Sequence, residues 1–269
     1  MHTLRIGTDI LGKIITRAAT ITGEYLAPYR TEHFRDAVER RLRALDLSSY
    51  EAYLTHLERD EDEAYAMLNE AFVGVTGFFR DAQAFDALSE HLTRRFCQHP
   101  SPLRAYVAAC STGQEALSIF ILLERLRQAM GLPEPAPLVA TDINPHAIET
   151  ACEGVYTADQ LRGLSSSLRH QFFEPHPRGC RLLPRYRRRI RYQVSDVLRE
   201  RPPGRFELIC CRNLLIYLQP RAQLHLLNSL HNALRPGGLL FLGAYESAAP
   251  LPALFALVDA DHSIYARRP

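Results

Sequence analysis

The stretch "ACSTGQEALSI", residues 109–119, marks the point where an apolar strand passes into a helix. In an open α/β sheet, the first turn of this kind lies against the ligand, beyond the carboxyl ends of the strands. A dinucleotide site places the three glycines of GxGxxG here. This turn has only Gly113, and Glu115 puts a negative charge where a phosphate would bind. The turn therefore disfavours a phosphate-bearing ligand.

Short apolar strands alternate with helical segments from about residue 104 onward. The strands are "RAYVAAC", "PLVATDI", "IRYQVSDV", "FELICCRN" and "GGLLFLGA". Apolar strands separated by helices predict an α/β fold with a doubly wound, mostly parallel sheet. "SIYARR", near the end of the sequence, is expected to add an antiparallel strand. Turn signals and β-prone residues in 171–194 predict a small antiparallel β-subdomain inserted there.

The first part of the chain has a helical pattern. Apolar residues recur at helical spacing in "FRDAVERRLRAL", "YEAYLTHL" and "AYAMLNEAF". Ser48 or Ser49 is placed to cap a helix that has Glu51 in its first turn. We therefore expect a helical domain with its linker over residues 1–85 and an α/β domain over residues 86–269.

The composition indicates the cellular compartment and the classes of partner to expect. The 269 residues include six cysteines without a CxxC pair, and no run of apolar residues reaches the roughly 20 needed for a membrane span. We expect a reduced, cytoplasmic protein without membrane insertion or a bound metal. The net charge of +2 is too small to argue by itself for a nucleic-acid partner.

The second strand provides the strongest indication of the ligand. Asp142, in "ATDIN", lies where an acidic side chain accepts hydrogen bonds from two ribose hydroxyls. Together with Glu115, it favours a nucleoside without phosphates. S-adenosylmethionine fits, because its sulfonium and ammonium groups favour acidic neighbours. The alternative is that Gly113 only reverses the chain and Asp142 only caps the next helix.

Two further segments carry polar residues that suggest a site. Arg212, Asn213 and Tyr217 follow the fourth apolar strand in "FELICCRNLLIYL", on the ligand side of the sheet. "VGVTGFFRD", which joins the helical and α/β regions, contains Thr76 and Arg80. The alternatives are loop caps and a core tyrosine for the first segment, and an interdomain plug of two phenylalanines for the second.

The motifs "VTGFFRD", "ACSTGQEALS", "ATDIN", "CRNLLIYL" and "LRPGGLLFLG", in this order behind a helical region, resemble those of the CheR-type chemoreceptor glutamate methyltransferases. The resemblance implies a Rossmann-like class I methyltransferase that forms glutamate methyl esters on chemoreceptors and releases S-adenosylhomocysteine. It also implies a set of cofactor-binding residues: Thr76, Arg80, Gly113, Glu115, Asp142, Asp196, Val197, Arg212 and Asn213.

The implied acceptor is a glutamate carboxylate, which is already ionised at neutral pH and needs no general base. Displacement at a sulfonium methyl then depends mainly on alignment of the reacting atoms. We hypothesise that Arg80 orients the carboxylate through charge-assisted hydrogen bonds. By the resemblance, Tyr217 lies beside the methyl group, and we hypothesise that it donates a hydrogen bond there.

The resemblance also suggests a partner, the glutamate-rich helical region of membrane chemoreceptors. It would dock on a basic helix of the N-terminal domain, through Arg30, Arg35, Arg40, Arg41 and Arg43. Some family members grip a tethering peptide of the receptor with the β-subdomain, but the short "EPHPRG" connection here favours a tether-independent enzyme.

Two other functions stay open. The protein could be a signalling module that binds S-adenosylmethionine without turnover, which the "GQEALS" motif, changed from the family pattern, supports. It could also be an RNA methyltransferase that binds through "RYRRRIRYQ", where arginine contacts phosphates and tyrosine stacks on bases.

Overall fold

The computed structural model describes residues 3–72, 76–98 and 103–269. The chain forms two compact units. One unit comprises Met1–Gly74 together with Tyr217–Gln223, and the other comprises Val75–Ile216 and Leu224–Pro269.

The smaller unit is helical. Its helices are α1 (Thr3–Thr22), α2 (Thr31–Ala44), α3 (Tyr50–Leu57) and α4 (Asp62–Phe72). Ser49 caps α3, because its side chain accepts a hydrogen bond from the Ala52 amide, and this confirms the predicted cap. The apolar faces of the helices meet in a core that includes Phe34, Tyr53 and Met67.

The larger unit alternates strands and helices. It begins with α5 (Ala82–Gln98), β1 (Ala105–Ala108), α6 (Gln114–Ala129), β2 (Leu138–Asp142), α7 (Pro145–Glu153) and β3 (Val155–Tyr156). It continues with α8 (Ser166–Phe172), β4 (Phe173–His176), β5 (Gly179–Leu182), α9 (Pro184–Arg187), β6 (Ile190–Val194) and β7 (Phe206–Cys211). It ends with α10 (Pro220–Ala233), β8 (Leu234–Leu242), β9 (Phe255–Asp259) and β10 (Ile264–Arg267). The first residues of α10 belong to the helical unit.

The main sheet has the order β6-β2-β1-β7-β8-β10-β9. Its first five strands pair in parallel, and β10 pairs antiparallel with β8 and β9. Strands β1, β2 and β7 are buried along their whole length, as expected where helices cover both faces of a parallel sheet. The predicted α/β class and the final antiparallel strand are confirmed.

A second sheet contains β3, β5 and β4, all antiparallel. It differs in extent from the insertion expected over 171–194. Residues 190–194 form β6 of the main sheet, because they pair in register with β2 from Leu138 to Asp142. The small sheet gains residues 155–156 instead, through β3.

The division between the two units also differs from the expected boundary at residues 85 and 86. It falls at Gly74 and Val75. The physical reason is packing, because Phe78, Phe85 and Leu88 are all buried in the core of the α/β unit. Among the described residues, no helix has the length and apolar character required to cross a membrane.

Candidate cofactor and active site

Five parallel strands end at one edge of the main sheet, and each is followed by polar residues. Asp142 ends β2, and Glu115 lies in the first turn of α6, after β1. Asp196 follows β6, Arg212 follows β7, and Glu246 comes shortly after β8. Carboxyl ends of parallel strands are where ligands bind in open α/β sheets. The predicted site residues after these strands therefore share one edge of the sheet.

Asp142 is buried, and both of its carboxylate oxygens accept backbone hydrogen bonds. Oδ2 accepts from the Ser111 amide at 2.7 Å, and Oδ1 accepts from the Asn144 amide at 2.9 Å. Burial raises the pKa of Asp142, and the backbone hydrogen bonds oppose that rise. The N-cap of α7 is Asn144, whose side chain accepts from the next helical amides. Asp142 is therefore not the helix cap considered above, and its oxygens retain lone pairs for a ligand.

The Gly113 turn is shaped by packing. Gly113 has φ 93° and precedes α6. A Cβ there would lie 2.9 Å from both the Ala151 Cβ and the Tyr156 hydroxyl, and 3.1 Å from the Tyr192 hydroxyl. Only glycine adopts this backbone without strain and leaves room for these neighbours. The structure thus gives Gly113 a packing role, and its contact with a cofactor stays a prediction.

Glu115 pairs with Arg212 at the start of α6. Glu115 Oε2 lies 3.2 Å from Arg212 Nη1, and Oε1 accepts a hydrogen bond from the Cys210 thiol at 3.1 Å. The Glu115 side chain is only 12% exposed. Burial raises its pKa, and the Arg212 charge opposes this. A carboxylate held in such a place favours a cationic ligand group.

Arg212 ties Glu115 to the loop that contains Arg80. Its side chain is 1% exposed, and Nη2 lies 2.6 Å from Asp81 Oδ2, while Nη1 donates to the Arg80 carbonyl at 3.1 Å. The guanidinium carbon lies 4.7 Å from the ring centroid of Phe241. In this arrangement Arg212 acts as a buried cross-link.

The loop of residues 76–81 carries Thr76 and the exposed Arg80. The Phe79 amide donates to the Ser118 hydroxyl on α6 at 2.9 Å. Phe78 is buried, and its ring meets Tyr156 and Phe173 edge to face within the α/β unit. Phe78 is therefore a core residue of this unit.

Strained backbone concentrates in the turns of the site. Seven non-glycine residues in the described segments have positive φ. Five of them lie in the loop before α5 or directly after β1 and β7: Phe79, Asp81, Ala109, Ser111 and Asn213. Such conformations cost free energy and tend to gather at functional sites.

Asp196 and Val197 lie after the edge strand β6. Asp196 Oδ1 accepts from the Leu198 amide at 2.8 Å. Burial raises the pKa of Asp196, and the Leu198 hydrogen bond opposes this. Val197 is buried. Their proposed contact with the cofactor stays a prediction.

Tyr217 belongs to the helical unit. Its carbonyl accepts a hydrogen bond from the Arg30 amide at 2.8 Å, and its ring centroid lies 4.3 Å from that of His33. Next to it, Leu218 forms a β-bridge with Tyr29, and the Leu218 carbonyl accepts from Arg30 Nε at 2.9 Å. The segment that contains Tyr217 is thus held by backbone pairing to the chain before α2.

The five arginines predicted to dock the receptor differ in environment. Arg41 forms two hydrogen bonds with the buried Glu63, which raise the pKa of Arg41. Arg40 pairs with Glu70 at 2.8 Å, and Arg43 is exposed. The charge of Arg41 is therefore used in an ion pair inside the helical unit.

The sequence did not predict three residues of this contact network. Asp81 pairs with Arg212, and Cys210 donates a hydrogen bond to Glu115. Glu246 accepts a hydrogen bond from the backbone of the neighbouring turn. Asp81 and Glu246 had a usable signal, since each is an acidic residue in a loop beside the site. Cys210 had none, because it resembles any other apolar residue of a buried strand.

These residues fit S-adenosylmethionine. Asp142 is buried and the Glu115 side chain is 12% exposed, and their carboxylates are acceptors of the kind that hydroxyl and ammonium groups need. No glycine-rich phosphate loop is present in this turn. Among the described residues, no group of three or more His, Cys, Asp or Glu side chains could hold a metal ion. The fold and site are those of an S-adenosylmethionine-dependent methyltransferase of class I.

Comparison with known proteins gives the family. Residues 74–264 match the "CheR methyltransferase, SAM binding domain" and residues 11–71 match the "CheR methyltransferase, all-alpha domain". The chain therefore belongs to the CheR methyltransferase family, and the predicted S-adenosylmethionine dependence and helical N-terminal region are confirmed.

The relatives include chemotaxis methyltransferases. "Chemotaxis protein methyltransferase 2" of Pseudomonas aeruginosa is 33% identical, over 86% of this chain and 84% of that protein. "Chemotaxis protein methyltransferase" of Salmonella typhimurium is 32% identical, over 87% of this chain and 82% of that protein. The "Uncharacterized 104.1 kDa protein in hypE 3'region" of Rhodobacter capsulatus is 30% identical, over 96% of this chain, which spans only 27% of that protein.

Proposed function

We propose that this protein transfers the methyl group of S-adenosylmethionine to glutamate carboxylates of chemoreceptors in the cytoplasm and forms methyl esters. The observation that carries the proposal is the pair of carboxylates at the ligand edge of the sheet in a CheR-family chain, the buried Asp142 and the largely buried Glu115. When bound, S-adenosylmethionine would supply a methyl carbon on a positively charged sulfur. An oxygen nucleophile attacks that carbon, and S-adenosylhomocysteine leaves as the C–S bond breaks.

In this proposal Asp142 accepts the ribose hydroxyls and Glu115 faces the cationic part of the cofactor. Arg212 holds Glu115 and the carbonyl of Arg80 in fixed positions. The other residues proposed to line the pocket are Thr76, Arg80, Gly113, Asp196, Val197 and Asn213. S-adenosylhomocysteine is the product.

Arg80 and Tyr217 are proposed to act on the acceptor. The exposed Arg80 side chain would orient the incoming carboxylate, and the Tyr217 hydroxyl would donate a hydrogen bond beside the methyl group. Arg80→Ala and Tyr217→Phe should each lower the turnover rate. Two exposed residues with the same changes, Arg162→Ala and Tyr65→Phe, serve as controls and should leave it unchanged. Full activity in both test variants would reject these roles.

Docking of the receptor is proposed to use charges on α2. Because Arg41 is paired with buried Glu63, the charges left for docking are those of the exposed Arg30, Arg40 and Arg43 and of the half-buried Arg35. Raising the salt concentration from about 50 to 200 mM should then weaken receptor methylation, since exposed charges are screened. Salt-insensitive methylation would contradict docking through these charges.

We also propose tether independence, so a peptide copied from the receptor's C-terminus should not inhibit methylation.

The direct test uses labelled S-adenosylmethionine, receptor-containing membranes and total RNA. Methyl label on receptors that alkali releases as methanol establishes a carboxyl ester. Alkali-stable label on RNA would favour the RNA methyltransferase. Binding of S-adenosylmethionine without transfer to either fraction would favour the signalling module.

A further inference from the structure

We propose that Glu246 is a positioning residue, which fixes the Arg212–Asn213 turn and through it holds Glu115 in place for the cofactor. The inference rests on the proposed binding of S-adenosylmethionine at Glu115. Glu246 lies in the turn after β8 and was not among the predicted site residues.

The carboxylate of Glu246 accepts hydrogen bonds from three backbone amides. Oε2 accepts from Gly243 at 2.7 Å and from Asn213 at 2.8 Å, and Oε1 accepts from Ile216 at 3.4 Å. Glu246 is only 6% exposed. In the described part of the chain, no basic side chain forms an ion pair with it. Its burial is therefore compensated by the backbone of the site turns.

The turn that Glu246 binds is strained. Asn213 has φ 58°, a left-handed conformation. This conformation costs free energy and persists only where surrounding contacts impose it. The bonds to the Asn213 and Ile216 amides supply such contacts on the turn. Gly243 is fitted to the same carboxylate, because a Cβ there would lie 2.7 Å from Glu246 Oε2 and 3.1 Å from the Asn213 amide nitrogen.

The backbone of this turn also fixes the position of the Arg212 side chain. Arg212 immediately precedes Asn213, and its guanidinium reaches Glu115 at 3.2 Å and Asp81 at 2.6 Å. A change in the backbone of Asn213 would move Arg212, and Glu115 would lose its fixed counter-ion. The chain of contacts therefore runs from Glu246 through Asn213 and Arg212 to Glu115.

The test is Glu246→Gln, compared with Glu207→Gln. Glu207 lies at the beginning of β7, is 8% exposed, and accepts a backbone hydrogen bond from Arg104 at 2.8 Å. Glu207 also forms an ion pair with Arg235 at 2.8 Å. The control thus makes the same chemical change in a buried carboxylate that binds a backbone amide, at the end of β7 opposite to the Arg212–Asn213 turn. Binding of S-adenosylhomocysteine is measured by calorimetry, and folding by urea denaturation.

We expect Glu246→Gln to raise the Kd for S-adenosylhomocysteine about tenfold or more, as the loss of a charge-assisted hydrogen bond in the site predicts. Glu207→Gln should lower stability with an unchanged Kd. Gly243→Ala should weaken binding in the same way, because it displaces the Glu246 carboxylate, and it provides a second test if Glu246→Gln fails to fold.

The outcomes separate this inference from the proposed function. If the wild-type protein binds S-adenosylhomocysteine and both Glu246→Gln and Gly243→Ala bind it equally well, the positioning role is wrong and the proposed function stands. An equal loss of affinity in Glu207→Gln would show a general effect of stability and would also overturn the inference. If the wild-type protein does not bind the product at all, both proposals fail.

Discussion

Glu115→Gln separates the two roles that the structure allows for Glu115, as a ligand group for a cationic cofactor and as the counter-ion of Arg212. The substitution keeps the shape of the side chain and removes its charge. Because Glu115 is 12% exposed, a lost hydrogen bond to a charged ligand group is worth roughly 1.5–3 kcal/mol. At about 1.4 kcal/mol per factor of ten, we expect the Kd for S-adenosylmethionine to rise about 10- to 100-fold.

The effect of the same substitution on stability depends on pH. Burial raises the pKa of Glu115 above 4.5, so the folded protein binds this proton more tightly than the unfolded chain. The favourable contribution of the group is complete below pH 4.5 and is lost as the pH rises through the folded-state pKa. Glutamine does not titrate. The unfolding free energy of Glu115→Gln relative to wild type should therefore increase as the pH rises from 4 to 7.

The assay pairs calorimetric binding of S-adenosylmethionine at neutral pH with urea denaturation at several pH values. Glu63→Gln is the matched control, because Glu63 is also a buried carboxylate paired with an arginine, Arg41, but lies in the helical unit. It should lose about 3–5 kcal/mol of unfolding free energy with an unchanged Kd. Unchanged cofactor affinity in Glu115→Gln would refute the ligand role, and a pH-independent stability difference would refute the electrostatic reasoning.

Three further predictions concern packing and charge. Gly113→Ala should cost about 1–3 kcal/mol more than Gly131→Ala in urea denaturation, since both have positive φ but only Gly113 faces close neighbours. Burial lowers the pKa of His33 to about 4, so this imidazole should cost the folded protein about 3 kcal/mol as the pH falls from 7 to 4, and urea denaturation should show the wild type losing that much stability relative to His33→Phe over this range. Arg41→Ala should lose about 3–5 kcal/mol in thermal or urea unfolding, because it leaves Glu63 unpaired, whereas Arg43→Ala should change stability by less than about 0.5 kcal/mol and lower receptor methylation.

The place of Arg41 on α2 follows from the helical periodicity of the sequence. Phe34, Ala37 and Val38 are the buried residues of α2, and Arg41 follows them at helical spacing. Arg41 therefore falls on the core face of the helix, and its pairing inside the unit was readable from the sequence. The identity of its partner, Glu63 on α4, was not, because it depends on how the two helices pack.

The sequence by itself determined the alternation of strands and helices and the positions of Glu115 and Asp142. These follow from local rules, since apolar runs and turn residues define the strands, and parallel strands must end at one edge of a sheet. Only the tertiary structure decided that Arg212 is a buried cross-link, and that Glu246 binds the turn beside it. These roles depend on contacts between residues far apart in the chain, so they arise from packing and the need to pair every buried charge and amide.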